Sequence, residues 1–187
     1  TAYVSNGYAS NQCLQYIRPW LDAIKVDLKS MRDSQYRKMG GTLQPVLDTI
    51  SRAREMELWV EVVTLVIPGF NDSNEELWEA GRFISSVSPD IPWHVTAYHP
   101  DYQMQDAPPT SASTLQRAAE IGQEAGLHYV YAGNLPGRVG SLEDTHCPKC
   151  TEPIIVRRGY RIIENHLTLQ GTCPKCGQSI AGIFRGN

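Results

Sequence analysis

Four of the five cysteines fall in two copies of one tetrapeptide, Cys147-Pro-Lys-Cys150 and Cys173-Pro-Lys-Cys176. Each C-x-x-C is a tight turn whose backbone amides can donate to sulfur. The 22 residues between the pairs read as a β-hairpin, which brings four thiolates onto one tetrahedral ion. Gly177 supplies a flexible backbone just past the last ligand. A module of roughly 40 residues buries too little core to stand alone, so a metal is its expected organiser. Zn²⁺ is expected at Cys147, Cys150, Cys173 and Cys176. Iron in a rubredoxin-like site is the alternative, since both metals take four thiolates in a tetrahedron. Disulfides are a third reading, one that no sign of secretion favours. A closed four-thiolate site leaves no position for substrate, so it reads as scaffolding or docking. Cys13, outside the set, reads as a small core residue, and His146 as a surface histidine.

Lys plus Arg is 17 against 20 Asp plus Glu, a net charge of -3 over 187 residues. That balance argues against non-specific nucleic-acid binding, which needs a basic surface. With 41% hydrophobic residues the chain is not disordered. No run approaches the ~18 apolar residues of a membrane span, and the expected setting is cytoplasmic.

Before the cysteines, strand-like and helix-like signals alternate. Tyr3-Val4 is a strand stub closed by Ser5-Asn6-Gly7, and 11–18 a short helix. Strand signals follow at 23–28, 58–67, 93–98 and 128–131, with helices at 42–56, 73–86 and 113–125. The 42–56 helix shows apolar spacings of 3 and 4 at Leu43, Val46, Leu47, Ile50 and Ala53. The near-continuous apolarity of 58–67 suits a strand covered on both faces. Ser73 is a helix cap, which explains Asn71-Asp72-Ser73 better than a glycosylation sequon. Trp20, Trp59, Trp78 and Trp93 are expected in the core or between helices and sheet. Strands separated by such helices imply parallel βα units, either part of a β/α barrel or an open doubly wound sheet. Composition shifts near Gly133. The expected division is 1–133, a β/α block, and 134–187, a linker with the four-cysteine ribbon. The opening residues read as a strand end, so the chain is expected to be a piece of a longer protein.

Functional groups of β/α barrels gather where strands end, and four strand ends here are polar: Ser5-Asn6, Asp27-Leu28-Lys29, Pro68 to Asp72, and Tyr98-His99. Alternation puts Asp27 and Lys29 on one side. A carboxylate and an ammonium at one mouth suit a ligand with amino and carboxyl groups, or ribose hydroxyls. His99 could stack on a flat base. Each has a bland reading too: a rim salt bridge, a loop-packing histidine, a turn. Lys29 could also serve a lyase as a Schiff-base amine.

The order Val-Ser-Asn-Gly-Tyr, Ile-Lys-Val-Asp-Leu-Lys, Val-Thr-Leu-Val-Ile-Pro-Gly-Phe-Asn-Asp, Thr-Ala-Tyr-His resembles the C-terminal half of radical S-adenosylmethionine (SAM) enzymes of the pyruvate formate-lyase activating type. The tail, Gly-Asn-Leu-Pro-Gly at 133–137 followed by the Cys-Pro-Lys-Cys pairs, resembles the radical SAM member of the AmmeMemoRadiSam system. The resemblance implies the C-terminal part of a partial (β/α)₆ barrel. There a [4Fe-4S] cluster chelates SAM, whose cleavage gives a 5′-deoxyadenosyl radical for hydrogen abstraction. It places Asp27 and Lys29 against the ribose or methionyl part and His99 near the adenosyl group. Ser5 and Asn6 match a turn where activating enzymes carry Asp-Thr-Asn-Gly, with Val4 in the acid's place.

The family's C-x-x-x-C-x-x-C loop and Gly-Gly-Glu strand belong upstream of Thr1. Residues 1–187 alone are therefore expected neither to hold the cluster nor to cleave SAM. Unpaired sheet edges are expected to make them self-associate. The implied substrate is a protein glycyl site or a small molecule, and the implied partners are Memo-type proteins of the same system. A competing reading makes the ribbon a protein-docking module, its basic face carrying Lys149, Arg157, Arg158, Arg161 and Lys175.

Overall fold

The computed structural model describes residues 1–184. Five strands, β1 (Ala2–Ser5), β2 (Ala23–Asp27), β3 (Trp59–Val66), β4 (Trp93–Ala97) and β5 (Val130–Gly133), form one sheet. All pairings are parallel and the spatial order is that of the chain. A doubly wound sheet needs a reversal of strand order, and none occurs among these strands. Helices α1 (Asn11–Ile17), α2 (Asp33–Lys38), α3 (Gln44–Glu55), α4 (Asn74–Val87) and α5 (Ala112–Glu124) fill the connections. No helix among the described residues is long and apolar enough to cross a membrane.

One face of the sheet is buried. Ile24, Val26, Val60, Val62, Val66, Trp93, Val95, Val130 and Ala132 meet Leu14, Val46, Ile50, Leu77, Ile84 and Leu115 of the helices in a single cluster. Three of the five helices are capped by side-chain hydroxyls: Ser10, Ser73 and Ser111 accept from the Cys13, Glu76 and Thr114 amides. Gly122 of α5 lets that helix lie on Trp93, whose ring would be 2.8 Å from an added Cβ.

The other face is half-exposed. On β3 the burial alternates strictly, with Trp59, Glu61, Val63 and Leu65 only partly covered, so the strand is not enclosed on both sides as its sequence suggested. The core helices all pack on the opposite face, and Val63 and Leu65 contribute apolarity that no helix covers. Two tryptophans also depart from expectation: Trp93 is fully buried, but Trp20 and Trp78 are 64% and 42% exposed. Cys13 is exposed instead of buried, because Leu14, the next residue of the short α1, is the one turned to the core. Helix α2 had no sequence signal; its six residues are too few to show a period.

A second sheet follows, β6 (Thr145–His146), β7 (Pro153–Arg158) and β8 (Arg161–Asn165), antiparallel in that order. The segment leading to it is packed. Val139 is buried in the main core, and Gly140–Glu143 forms a 3-10 turn.

Candidate functional site

Parallel strands place all their C-terminal ends at one end of the sheet, and buried side chains stitch those ends together. Asn71, 2% exposed, accepts from the Ile67 amide at 2.7 Å and donates to the carbonyls of Lys29 (2.7 Å) and Leu65 (2.9 Å). It thereby ties the end of β2 to the end of β3. Glu76, in the first turn of α4 and also buried, accepts from the Ser30 hydroxyl and from the Met31 amide at 2.8 Å. Thr110 holds β3 and β4 together: it accepts from the Tyr98 amide at 3.0 Å and donates to the Val66 carbonyl. Asn134, in the left-handed region at φ 64°, donates to Ala97 O at 3.0 Å and adds the end of β5.

On this frame Asp27 Oδ2 and Lys29 Nζ pair at 3.0 Å, side chains 34% and 40% exposed. The Lys29 amide donates to the hydroxyl of buried Tyr36 at 3.0 Å, and burial raises the Tyr36 phenol above its ordinary value. A half-exposed ion pair is not the apolar pocket that activates a Schiff-base lysine. Ser5 is in register with Val26, on the helix-covered side, and its hydroxyl accepts from Gly7 N at 3.1 Å. Asn6 is exposed, its Oδ1 accepting from the Tyr8 amide. Gly7, at φ 77°, is required there: a Cβ would lie 2.6 Å from Val26 Cγ1. His99 is exposed, just beyond β4.

The half-exposed face carries a set that the sequence reading missed. Asp27, Val63, His94 and Tyr131 form one register row across four strands. His94 Nε2 meets Glu61 Oε2 at 2.9 Å, while Glu61 Oε1 accepts from Trp59 Nε1 at 2.9 Å. The His94 hydrogen bond holds the Glu61 carboxyl below its usual range against the upward push of burial. His94 stacks on Tyr131 with centroids 5.2 Å apart and planes at 25°. Arg157 lies 5.8 Å over the same ring, and the Tyr131 and Arg157 side chains both reach the Thr145 hydroxyl, at 3.0 and 2.7 Å. A polar side chain between two apolar neighbours, at Glu61, His94 and Tyr131, was the available signal; only parallel register shows that they touch.

The four ribbon sulfurs converge within 4.8 Å of one another. Cys147 and Cys176 Sγ lie 3.6 Å apart, Cys150 and Cys173 Sγ 3.7 Å, and none is disulfide-bonded. Zinc–thiolate bonds of about 2.3 Å put tetrahedral sulfurs about 3.8 Å apart, so the set fits one ion. A four-iron cubane would hold its thiolates farther apart. The two turns repeat the same bonds: Thr151 N to Cys147 O and Gly177 N to Cys173 O, then Cys147 N to Glu152 O and Cys173 N to Gln178 O, all at 2.8–2.9 Å. Thr151 and Gly177 hold equivalent positions at φ 58° and 72°. Among themselves the thiols diverge. The Glu152 amide pulls Cys150 down, but desolvation and three neighbouring thiols push it up to about 12. Burial pushes Cys173 up, but the Cys176 and Lys175 amides and two thiols hold it at about 7. A metal held by Cys147, Cys150, Cys173 and Cys176 would replace that contest with four bonds to sulfur. His146 is not one of the converging groups.

Tyr129, at the foot of β5, packs on Cys147, Ile154, Cys173 and Ile180 and accepts from Ala181 N at 3.1 Å. At the other end, Glu143 accepts from both the Gly137 and Gly159 amides, at 2.7 and 2.8 Å. The Asn134-Leu-Pro-Gly137 segment thus joins the end of β4 to the turn between β7 and β8.

No family model matches this chain. An uncharacterised protein of Methanocaldococcus jannaschii is 35% identical over 179 residues, covering 95% of this chain and 53% of that protein. The isethionate sulfite-lyase activating enzyme of Oleidesulfovibrio alaskensis is 28% identical over 102 residues, covering 53% of this chain and 32% of that protein. The chain therefore spans about half and about a third of these relatives' lengths. Two solved structures are similar in fold. A domain of pyruvate-formate lyase-activating enzyme from Bacteroides vulgatus has a TM-score of 0.62 at 19% identity, over 71% of this chain and 80% of that one. A radical SAM methyltransferase from Sphaerobacter thermophilus has a TM-score of 0.55 at 15% identity, over 75% and 42%. The α/β fold with its parallel sheet is thus the fold of radical SAM domains.

Proposed function

We propose that this chain is part of a radical SAM enzyme of the activating-enzyme kind, its sheet being the C-terminal portion of a partial β/α barrel. The observation that carries the reading is the strand-end set. Asp27, Lys29 and His99 stand at one end of a sequentially ordered parallel sheet, on a frame that Asn71, Thr110 and Asn134 make rigid. Asp27 offers a carboxylate to ribose hydroxyls or an amino group, Lys29 a cation to a carboxylate, and Asn6 and His99 line the same end. The 133–137 segment and the paired Cys-Pro-Lys-Cys turns support placing the chain with the radical SAM member of the AmmeMemoRadiSam system, with Memo-type proteins as partners. The ribbon thiolates would take Zn²⁺, with iron the alternative.

The residues present fit SAM but not the cluster. Four of the five cysteines are committed to the ribbon, and Cys13 stands apart on α1. SAM with a cluster would supply hydrogen-atom abstraction; this chain's part is to hold and orient the nucleoside and amino-acid ends.

The test uses the complete parent protein, reconstituted anaerobically, with SAM binding measured by calorimetry. Asp27→Asn and His99→Ala should each weaken binding by about tenfold, the loss of one good polar contact. Unchanged affinity in both variants refutes the proposal.

A further inference from the structure

We propose that the outer edge of β8, with the arginines at its start, is a docking site for an acidic, extended segment of a partner protein. The inference does not depend on the chemistry proposed for the parallel sheet.

Among the described residues β8 pairs on one side only, with β7. Every residue of β8 is exposed, so both of its faces and one edge meet solvent. Ile162 and Ile163 are 57% and 50% exposed, and Tyr160 in the preceding turn is fully so. Natural edges are usually blunted by charge, proline, a bulge or a covering element, and β8 has Arg161, Glu164 and a register shift at Ile163. Here two consecutive isoleucines stand on the edge strand itself, in a short sheet that has no need of them for its own core. That core is built from Ile154, Ile180 and the cysteines.

Charge names the partner. Arg158 and Arg161 are directly opposed across the hairpin, a like-charge pairing that costs stability. Arg158 lies against Gly137, its Nε only 2.8 Å from where a Cβ would sit, which brings the neighbouring Arg138 to the same corner. None of these three arginines has an ion pair among the described residues. The acid at that corner, Glu143, has both carboxylate oxygens on the Gly137 and Gly159 amides. In a chain of net charge -3, three unpaired guanidiniums beside an exposed aromatic and an open strand edge form a local rule broken without internal gain. Such breaks mark binding surfaces. An added strand satisfies the edge amides and carbonyls, its apolar side chains cover Ile162 and Ile163, and its acids meet the arginines.

The experiment uses the full chain, loaded with Zn²⁺, and a fluorescent dodecapeptide of alternating Glu and Val read by anisotropy. The proposal expects salt-sensitive binding that the triple variant Arg138→Glu, Arg158→Glu, Arg161→Glu weakens at least about tenfold. The same charge reversal at Arg54 and Arg82, exposed on α3 and α4, should leave binding unchanged. A backbone N-methylated form of the peptide should bind at least about fivefold more weakly, because it cannot complete the edge. Cobalt substitution at the four cysteines reports whether each variant's ribbon is folded. The proposal is overturned if the folded triple variant binds as well as the parent, if N-methylation changes nothing, or if oligouridylate competes more strongly than the peptide.

Discussion

The parallel sheet and the cysteine ribbon solve one problem by opposite means. The sheet buries a continuous apolar layer from four strands, β2 to β5, and five helices, and Trp93, Val62, Ile50 and Leu115 at its centre are cut off from water. The ribbon buries Ile154 and Ile180, borrows Tyr129 from β5, and for the rest brings together four sulfurs. The first is stable because of area. The second has too little area, and its four converging sulfurs are the group that could make up the difference by holding a metal. Two parts of one chain can therefore be lost separately, and each loss has its own trigger.

The strongest test of that contrast is removal of the metal. Structural zinc contributes about 10–16 kcal/mol in small finger-type modules. A chelator, or Cys173→Ser, should release one metal per chain and abolish hydrogen-exchange protection of β7, while the helical circular dichroism stays. Helices that melt along with the ribbon would end the distinction. Next comes the sheet's own core. Trp93→Ala removes a fully buried ring and leaves the Thr64 hydroxyl without its 2.9 Å donor. It should lower the urea-unfolding free energy of the helical block by about 3–5 kcal/mol, with metal stoichiometry unchanged. The smallest effect concerns the polar face between the two regions. The Glu61 carboxyl is held below the ordinary 4.5, so its share of stability is complete above that value and is lost as pH falls through the folded value. Glu61→Gln should flatten this acid limb below about pH 4.5, seen as a smaller drop in melting temperature on further acidification than the parent shows.

Legibility divided along similar lines. The ribbon was readable because four identical chemical groups at fixed spacing admit few arrangements, and the sulfurs do converge as the spacing requires. The βα order was readable from hydrophobic period and caps: Ser73 and the 93–98 strand stand within a residue or so of expectation, although β5 begins two residues later than the sequence suggested. What escaped was set by register. Glu61, His94 and Tyr131 each look unremarkable alone, and only the pairing of β3 to β5 makes them neighbours. Asn71 read as part of a turn, while its amide group braces two strand ends from inside. The tail segment 134–141 read as a linker from its glycines, yet one of them, Gly137, is a close-packing position with Arg158 seated on it. The exposed Cys13, Trp20 and Trp78 escaped for a simpler reason: residue type alone does not say which side of a helix faces inward.

The two cysteine turns share their bonds but not their residue at the left-handed corner. Gly177 enters that conformation freely, whereas the branched Thr151 does so at a cost of about 1–2 kcal/mol. The clasp consequently has a ready jaw and a reluctant one. The backbone cost of holding four sulfurs together therefore falls on the Cys147–Cys150 side, at one residue outside the ligand set.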